Sequence, residues 1–344
     1  LSKPLPRKIA VMGAGSWGTT FAKVLADAVP EQGIPVQIWA RRDEAAQEIN
    51  ERHTNSRYLR DTRLPANVTA SSNVEEVLAN ADLVVLAIPA QSLREELAKF
   101  AAHFEQDVVL LSLMKGLERG TDLRMSEVMA EVTGIPADRI AVLSGPNLAM
   151  EIAREQPTAS VVACTSNETA HWIAQLCSAP YFRPYTNDDV LGVELGGIVK
   201  NIIALAVGMC DGMGMGDNTK STVITRGLAE TTRLVISLGG RLDTLAGLSG
   251  LGDLVATCSS SLSRNNTAGR LLGQGLFIEE VNDRMSQTAE GIKSARAVFD
   301  LSRSHGVEMP ITEAVVMVLE GNLSVENMAE RLLARELKSE GEQH

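Results

Sequence analysis

Along the first half of the chain, short apolar runs alternate with amphipathic stretches. Ile9–Met12, Val36–Trp39, Leu83–Ile88, Val108–Leu113 and Ile140–Leu143 are each four to six residues long and rich in aliphatic side chains. Between most of them, Thr19–Ala28, Val74–Asn80 and Ser92–Phe100 carry apolar residues at helical spacing. Strands apolar on both faces that alternate with helices predict a parallel sheet covered on both sides. Two more short strands are expected at Ser160–Cys164 and Phe182–Tyr185. After about Asp188 the period changes. Apolar residues then recur at helical spacing through Val190–Met209, Val223–Ile236, Thr288–Leu301 and Ile311–Leu319, with glycine-rich turns between. The expected division is an α/β domain over residues 1–189 and an all-helical domain over residues 190–344.

The length of 344 residues agrees with two domains at about 150 residues each. With 44% hydrophobic and 22% charged residues, the chain has the composition of a folded globular protein. The net charge of −11 argues against a nucleic-acid partner, since neutralising phosphates takes an excess of Lys and Arg on some face. Ile202–Cys210 is the longest apolar run and follows directly on Lys200 and Asn201, short of the ~18–20 residues of a membrane helix, so no membrane insertion is expected. Cys164, Cys177, Cys210 and Cys258 form no Cys-x-x-Cys pair and read as packed, reduced thiols of a cytoplasmic protein. The opening Leu1-Ser2-Lys3-Pro4-Leu5-Pro6-Arg7 carries no apolar stretch before the first strand, so secretion is not expected.

Gly13-Ala14-Gly15-Ser16-Trp17-Gly18 fits G-x-G-x-x-G, a pattern that is weak alone. Here it follows a predicted strand directly and opens a predicted helix. Gly13 permits the tight turn, Gly15 lets a pyrophosphate approach the backbone, and Gly18 lets helix and strand pack closely. The amides at the helix N-terminus then face the anion. The fold class is therefore α/β, a Rossmann-like doubly wound parallel sheet with a C-terminal all-α domain. An NAD-specific site usually carries an acidic residue after the second strand. This chain has Ala40-Arg41-Arg42 there, and two planar guanidiniums suit a 2′-phosphate. NADP(H) is the preferred cofactor, and Asp43 leaves NAD(H) open.

Three further features carry chemistry. Lys115 closes a strand in Ser112-Leu113-Met114-Lys115-Gly116-Leu117, and ligands gather at strand C-terminal ends. Lys200 and Asn201 interrupt an apolar helix, with small Gly196, Gly197 and Ala204 leaving that face open to a ligand. Gly247-Leu248-Ser249-Gly250-Leu251-Gly252-Asp253 leads to a carboxylate, and Ser263-Arg264-Asn265 suits a phosphate monoester. Singly, each has a plainer reading as a surface lysine, a helix-capping aspartate or a solvated arginine.

Together these blocks resemble the bacterial NAD(P)-dependent glycerol-3-phosphate dehydrogenase family. The resemblance rests on Val193–Asn201, Asp211–Asn218, Thr225–Glu230, Gly250–Leu254 and Leu262–Asn265 in the second half. In the first half it rests on Gly13–Gly18, Lys115–Glu118 and Ser144–Asn147, and it runs from about residue 8 to 335. It implies that Lys200 transfers the proton. Lys115, Gly145, Asn147, Asp253, Ser263, Arg264 and Asn265 would surround a small phosphorylated substrate. Ser16, Trp17, Arg41, Arg42, Lys115, Ala149, Arg264 and Glu290 would contact the cofactor, with Tyr58 a further candidate. Asn147 stands where many members carry Ser or Thr, and Thr288 where apolar residues are common, which puts that contact in doubt.

The implied reaction is reversible hydride transfer between dihydroxyacetone phosphate and sn-glycerol 3-phosphate, a product that feeds phospholipid synthesis. Lys200 protonates the developing alkoxide, or as the neutral amine removes the hydroxyl proton. The second role needs a pKa below the free value of about 10.4. An apolar helix face and Lys115 would push it down, which leaves Asp253 the task of orientation. No metal is expected, because the five histidines share no ligand spacing. A homodimer is left open. Three alternatives are weighed: a β-hydroxyacid dehydrogenase acting on a carboxylate, a UDP-sugar dehydrogenase using Cys258 as nucleophile, and an NADP-binding redox sensor without turnover. The Ser-Arg-Asn block, the lack of a base or cation near Cys258 in sequence, and the setting of the two lysines and Asp253 argue against each in turn.

Overall fold

The computed structural model describes residues 3–28, 33–285 and 289–333. Thr288 and the charged tail beyond residue 333 lie outside them. The chain divides into two compact units. One comprises the chain up to Lys115 together with Leu123–Val193; the other comprises Gly116–Asp122 and the chain from Glu194 on.

In the first unit, among the described residues, eight strands form one sheet: β1 (Ile9–Met12), β2 (Val36–Trp39), β3 (Val68–Ser71), β4 (Leu83–Leu86), β5 (Val109–Ser112), β6 (Ile140–Ser144), β7 (Thr158–Ala163) and β8 (Phe182–Asn187). Their order is β3-β2-β1-β4-β5-β6-β7-β8, and every neighbouring pair is parallel except β6 with β7. The order reverses at β1, beside β4, which is the switch point of a doubly wound sheet. Alternate residues feed two separate cores. Ile9, Val11, Val85 and Leu111 pack on one face with Phe21 of the Ser16–Ala28 helix. Ala10, Met12, Val84 and Leu110 pack on the other with Leu97 and Phe100 of the Leu93–Phe100 helix. Burial on both faces is why these strands read as continuous apolar runs.

The pattern of apolar residues gives no sign of β3. Thr69 is exposed and Ser71 half-buried, so only Val68 and Ala70 face the core. An edge strand with one inner face leaves too few apolar positions to stand out.

Val190–Gly212, which belongs to the second unit from Glu194 on, is one continuous helix through Lys200 and Asn201. The helix agrees with the helical spacing of Val190–Met209 and extends the apolar stretch well beyond Ile202–Cys210. The helix is 23 residues long and its most apolar 18-residue window has mean hydropathy 1.8, enough to cross a membrane by length and composition, yet 89% of that window is buried inside the protein. Glycines explain how it is covered. A Cβ placed on Gly208 or Gly212 would strike the carbonyl of Asn266 or Arg270, and one on Gly269 or Gly273 the carbonyl of Leu205 or Met209. Glycines four apart on both partners thus let Val190–Gly212 and Arg264–Gly273 approach backbone to backbone, closer than side-chain ridges allow. Asp217–Ser237, Glu290–Ser304 and Pro310–Leu319 complete the main helices of this unit.

Candidate active site

The first unit gathers its candidates at the carboxyl ends of parallel strands. Gly13, after β1, has φ +130°, and a Cβ there would meet the Ala87 carbonyl following β4. A Cβ on Gly18 would strike the Gly13 carbonyl, whereas one on Gly15 would find nothing within 4 Å. The outer two glycines are therefore filled by the fold, and the middle one opens onto space. Ser16 begins the helix whose first amides have no intrahelical acceptor. The Trp17 ring lies 5.5 Å from that of Phe21, and its indole Nε1 is buried without a hydrogen-bond partner. Arg41 and Arg42 are both exposed at the end of β2. Asp43 beside them is exposed and accepts a hydrogen bond from the Ser72 hydroxyl on one carboxylate oxygen.

After β5, Lys115 donates from Nζ to the Gly145 carbonyl at 3.1 Å, which ties it to the loop after β6. In that loop both polar side-chain atoms of Asn147 are buried without a partner. Leaving a buried amide unsatisfied costs about 1–3 kcal/mol per group, so Asn147 is a group that gains from meeting a ligand. Ala149 opens the helix Ala149–Ala153, and its carbonyl accepts from Thr20 Oγ1 at 3.4 Å. Tyr58 is half-buried in the turn Ser56–Leu59, with the Arg57 guanidinium 5.7 Å from its ring centre.

The second unit builds its candidates from side chains far apart in sequence. Lys200 is 8% exposed and Asp253 1%. Lys200 Nζ donates to Asp253 Oδ1 at 2.7 Å and to Thr257 Oγ1 at 2.6 Å. Thr257, one turn after Asp253, also bonds the same carboxylate oxygen at 3.3 Å. A polar triad thus sits within an apolar surround, where a lone charge would be prohibitive. Gly196 does not hold this face open, contrary to the expectation from small residues. A Cβ there would lie 2.8 Å from the Ser249 carbonyl, so the space is taken by backbone of the segment leading to Asp253.

A second network lies beside the triad. Asn265 Nδ2 donates to Asn201 Oδ1 at 2.9 Å, while Asn265 Oδ1 accepts from the Gly291 amide at 2.9 Å. A Cβ on Gly291 would lie 2.7 Å from the Asn201 carbonyl, so only glycine fits there. Ser263 caps the Arg264–Gly273 helix by accepting from the Asn266 amide at 3.2 Å. Arg264 is exposed in the first turn of that helix. Burial raises the Glu290 carboxyl above its ordinary range, and Lys293 and Arg264 oppose the shift. Its Oε2 is buried without a hydrogen-bond partner. Cys258, 5% exposed, has its thiol pushed up to about 12 by burial, which disfavours the thiolate that a nucleophile needs. Thr257 and Gly291 were not marked by the sequence pattern, because their roles depend on partners 57 residues away for Thr257 and across the Asn201 backbone for Gly291.

The chain matches the family described as NAD-dependent glycerol-3-phosphate dehydrogenase N-terminus over residues 8–170, and its C-terminus counterpart over residues 189–330. The chain belongs to this family. It is 56% identical to glycerol-3-phosphate dehydrogenase [NAD(P)+] of Thermobifida fusca, over 95% of this chain and 96% of that one. The enzyme of the same name from Corynebacterium diphtheriae is 55% identical over 97% of this chain and 100% of its own length. The crystal structure of glycerol-3-phosphate dehydrogenase from Coxiella burnetii aligns at TM-score 0.90 and 35% identity, covering 96% of this chain and all of that one.

The residues present fit the dinucleotide such a family member uses. The space over Gly15, the unpartnered indole N–H of Trp17 and the exposed pair Arg41 and Arg42 are complementary to an anionic cofactor.

Proposed function

We propose that the chain interconverts dihydroxyacetone phosphate and sn-glycerol 3-phosphate, using NADPH in preference to NADH, with Lys200 as the proton donor and acceptor. The observation that carries this reading is the buried Lys200–Asp253–Thr257 triad in a chain whose two halves both match the glycerol-3-phosphate dehydrogenase family. The working division is a cofactor-binding domain over residues 1–189 and a catalytic domain over 190–344.

The nicotinamide cofactor, when bound, supplies the hydride. Lys200 holds a proton at Nζ, positioned by two acceptors, and delivers it to the alkoxide oxygen that develops on the substrate. Asp253 fixes the ammonium and keeps it from being a lone buried charge. Arg264, with the amides of its helix N-terminus behind it, binds the substrate phosphate and reaches the cofactor. Asn265, locked between Asn201 and Gly291, holds the helix end that presents Arg264, and Ser263 caps the same turn. Lys115, Gly145 and Asn147 are further substrate-binding candidates. Gly13, Gly15, Ser16, Trp17 and Gly18 cradle the pyrophosphate, Arg41 and Arg42 take the 2′-phosphate, and Tyr58, Ala149 and Glu290 complete the cofactor contacts. The exposed guanidinium pair Arg41 and Arg42 after β2 supports NADP over NAD. Four buried free thiols among the described residues support a cytoplasmic setting, where the product would enter phospholipid synthesis.

The deciding experiment follows loss of reduced-nicotinamide absorbance with dihydroxyacetone phosphate and, separately, with a small 2-oxo acid. Turnover with the phosphate substrate alone is expected. Turnover with only the oxo acid would move the activity to the β-hydroxyacid dehydrogenases, and none with either would leave a cofactor-binding sensor.

A further inference from the structure

We propose that Asn55 is a positioning residue for the pyrophosphate of the cofactor, acting by locking the peptide plane between Ala14 and Gly15. This rests on the dinucleotide reading of the glycine loop. Asn55 is 2% exposed, and its Nδ2 donates to the Ala14 carbonyl at 3.0 Å and to Thr19 Oγ1 at 2.9 Å. One amide nitrogen thereby clamps both the loop and the second turn of the helix that the loop opens. Asn55 is itself fixed, because its own carbonyl accepts from the Tyr58 and Leu59 amides at 3.1 and 2.9 Å.

The consequence follows from peptide planarity. In a trans peptide the carbonyl and the N–H of one unit point in opposite directions, and no bond among the described residues is cis. With the Ala14 oxygen turned toward Asn55, the Gly15 N–H is turned away from it. Gly15 is also the member of the loop whose missing Cβ would have met nothing within 4 Å. Were the plane to flip, the Ala14 oxygen would replace that N–H and repel an anion instead of binding it. Asn55 therefore selects the donor face of the loop without touching the ligand. A merely structural Asn55 would support the fold and every ligand of the unit equally.

Calorimetric titration of the full chain with ADP-ribose, which carries the pyrophosphate, and with 2′-AMP, which does not, separates the two. Asn55→Asp keeps the shape and places an acceptor against the Ala14 carbonyl. It is expected to weaken ADP-ribose by about tenfold or more while leaving 2′-AMP within about twofold. Asn55→Ala, which leaves the carbonyl unclamped without repelling it, falls between wild type and Asn55→Asp. Thermal unfolding of each variant supplies the structural control, and Asn55→Ala carries the test if Asn55→Asp does not fold. Equal losses for both ligands, or no loss for ADP-ribose, would overturn the proposal. If wild-type protein binds ADP-ribose but not 2′-AMP, the NADP preference fails while Asn55 is still judged on ADP-ribose against thermal stability. Binding of neither would remove the dinucleotide reading and this inference with it.

Discussion

The glycine loop of the first unit and the lysine triad of the second reach the same end, a prepared polar site, by opposite means. The loop presents backbone: two glycines filled by neighbouring carbonyls, one open, and a helix N-terminus behind. Its donors are peptide N–H groups, which cannot titrate and need only the right chain path. The triad presents side chains from positions 200, 253 and 257, and it carries a buried charge that must be neutralised in place. Glycine itself changes meaning between the two. Gly15 leaves room for a ligand, whereas Gly208, Gly212, Gly269 and Gly273 leave room only for a second helix. A site made of backbone depends on side chains only through the chain path they hold, whereas a site made of a buried ion pair depends on the side chains themselves.

The contrast is sharpest at Lys200. Lys200→Met is expected to lower turnover by about 10²–10⁴-fold. It also takes the ammonium away from the buried Asp253 carboxylate, to which Thr257 still donates, and this costs roughly 3–5 kcal/mol of stability. The loss of stability is therefore part of the expected result, in contrast to the unperturbed fold that a surface lysine would give. Adding Asp253→Asn should recover most of the stability by denaturant unfolding and none of the turnover. Recovery of turnover as well would deny Lys200 its acid–base role.

Glycine exchange tests the two kinds of space directly. Gly269→Ala drives a Cβ into the Leu205 carbonyl and should cost about 1–3 kcal/mol in urea unfolding. Gly15→Ala meets nothing and should change stability by less than about 0.5 kcal/mol while weakening NADPH in a binding titration. Equal stability losses would mean that the two glycines occupy the same kind of space.

Within the first unit, Arg41→Ala with Arg42→Ala should raise the KM for NADPH about tenfold relative to that for NADH, near 1.4 kcal/mol. An unchanged ratio would mean that both guanidiniums are solvated.

A pH-dependent test belongs to Glu230, fully buried in the second unit against the first residues of the Pro310–Leu319 helix. It accepts from the Ile311 and Thr312 amides and from Thr312 Oγ1, yet burial outweighs these bonds and raises its pKa to about 7. The folded protein thus holds this proton more tightly than the unfolded chain. Its contribution to stability is full below the ordinary value of 4.5 and declines as pH rises toward about 7. Glu230→Gln should flatten that slope, read from denaturant unfolding at about pH 5 and about pH 7.5. A steeper slope would place the titrating group elsewhere.

The sequence by itself determined the elements that depend on local pattern. The doubly buried strands β1, β4, β5 and β6, the alternating strand β2, the long helices after residue 190, and the strand–glycine–helix unit at Gly13–Gly18 all declare themselves within a few residues, because periodicity and turn chemistry act over that range. It also determined the family, through blocks of residues in a fixed order. Edge strand β3 escaped, since a strand with one inner face and two apolar residues has no contrast with a loop. Only the tertiary structure decided which polar residues meet. Asn55 reaches Ala14 across 41 residues, Lys200 reaches Asp253 across 53, and Asn265 reaches Asn201 across 64. It likewise decided that the Val190–Gly212 helix, apolar enough for a bilayer, is a core helix, because glycines on another segment let a second helix cover it. Such pairings depend on chain path, and a local pattern carries no record of what lies on the other side of a surface.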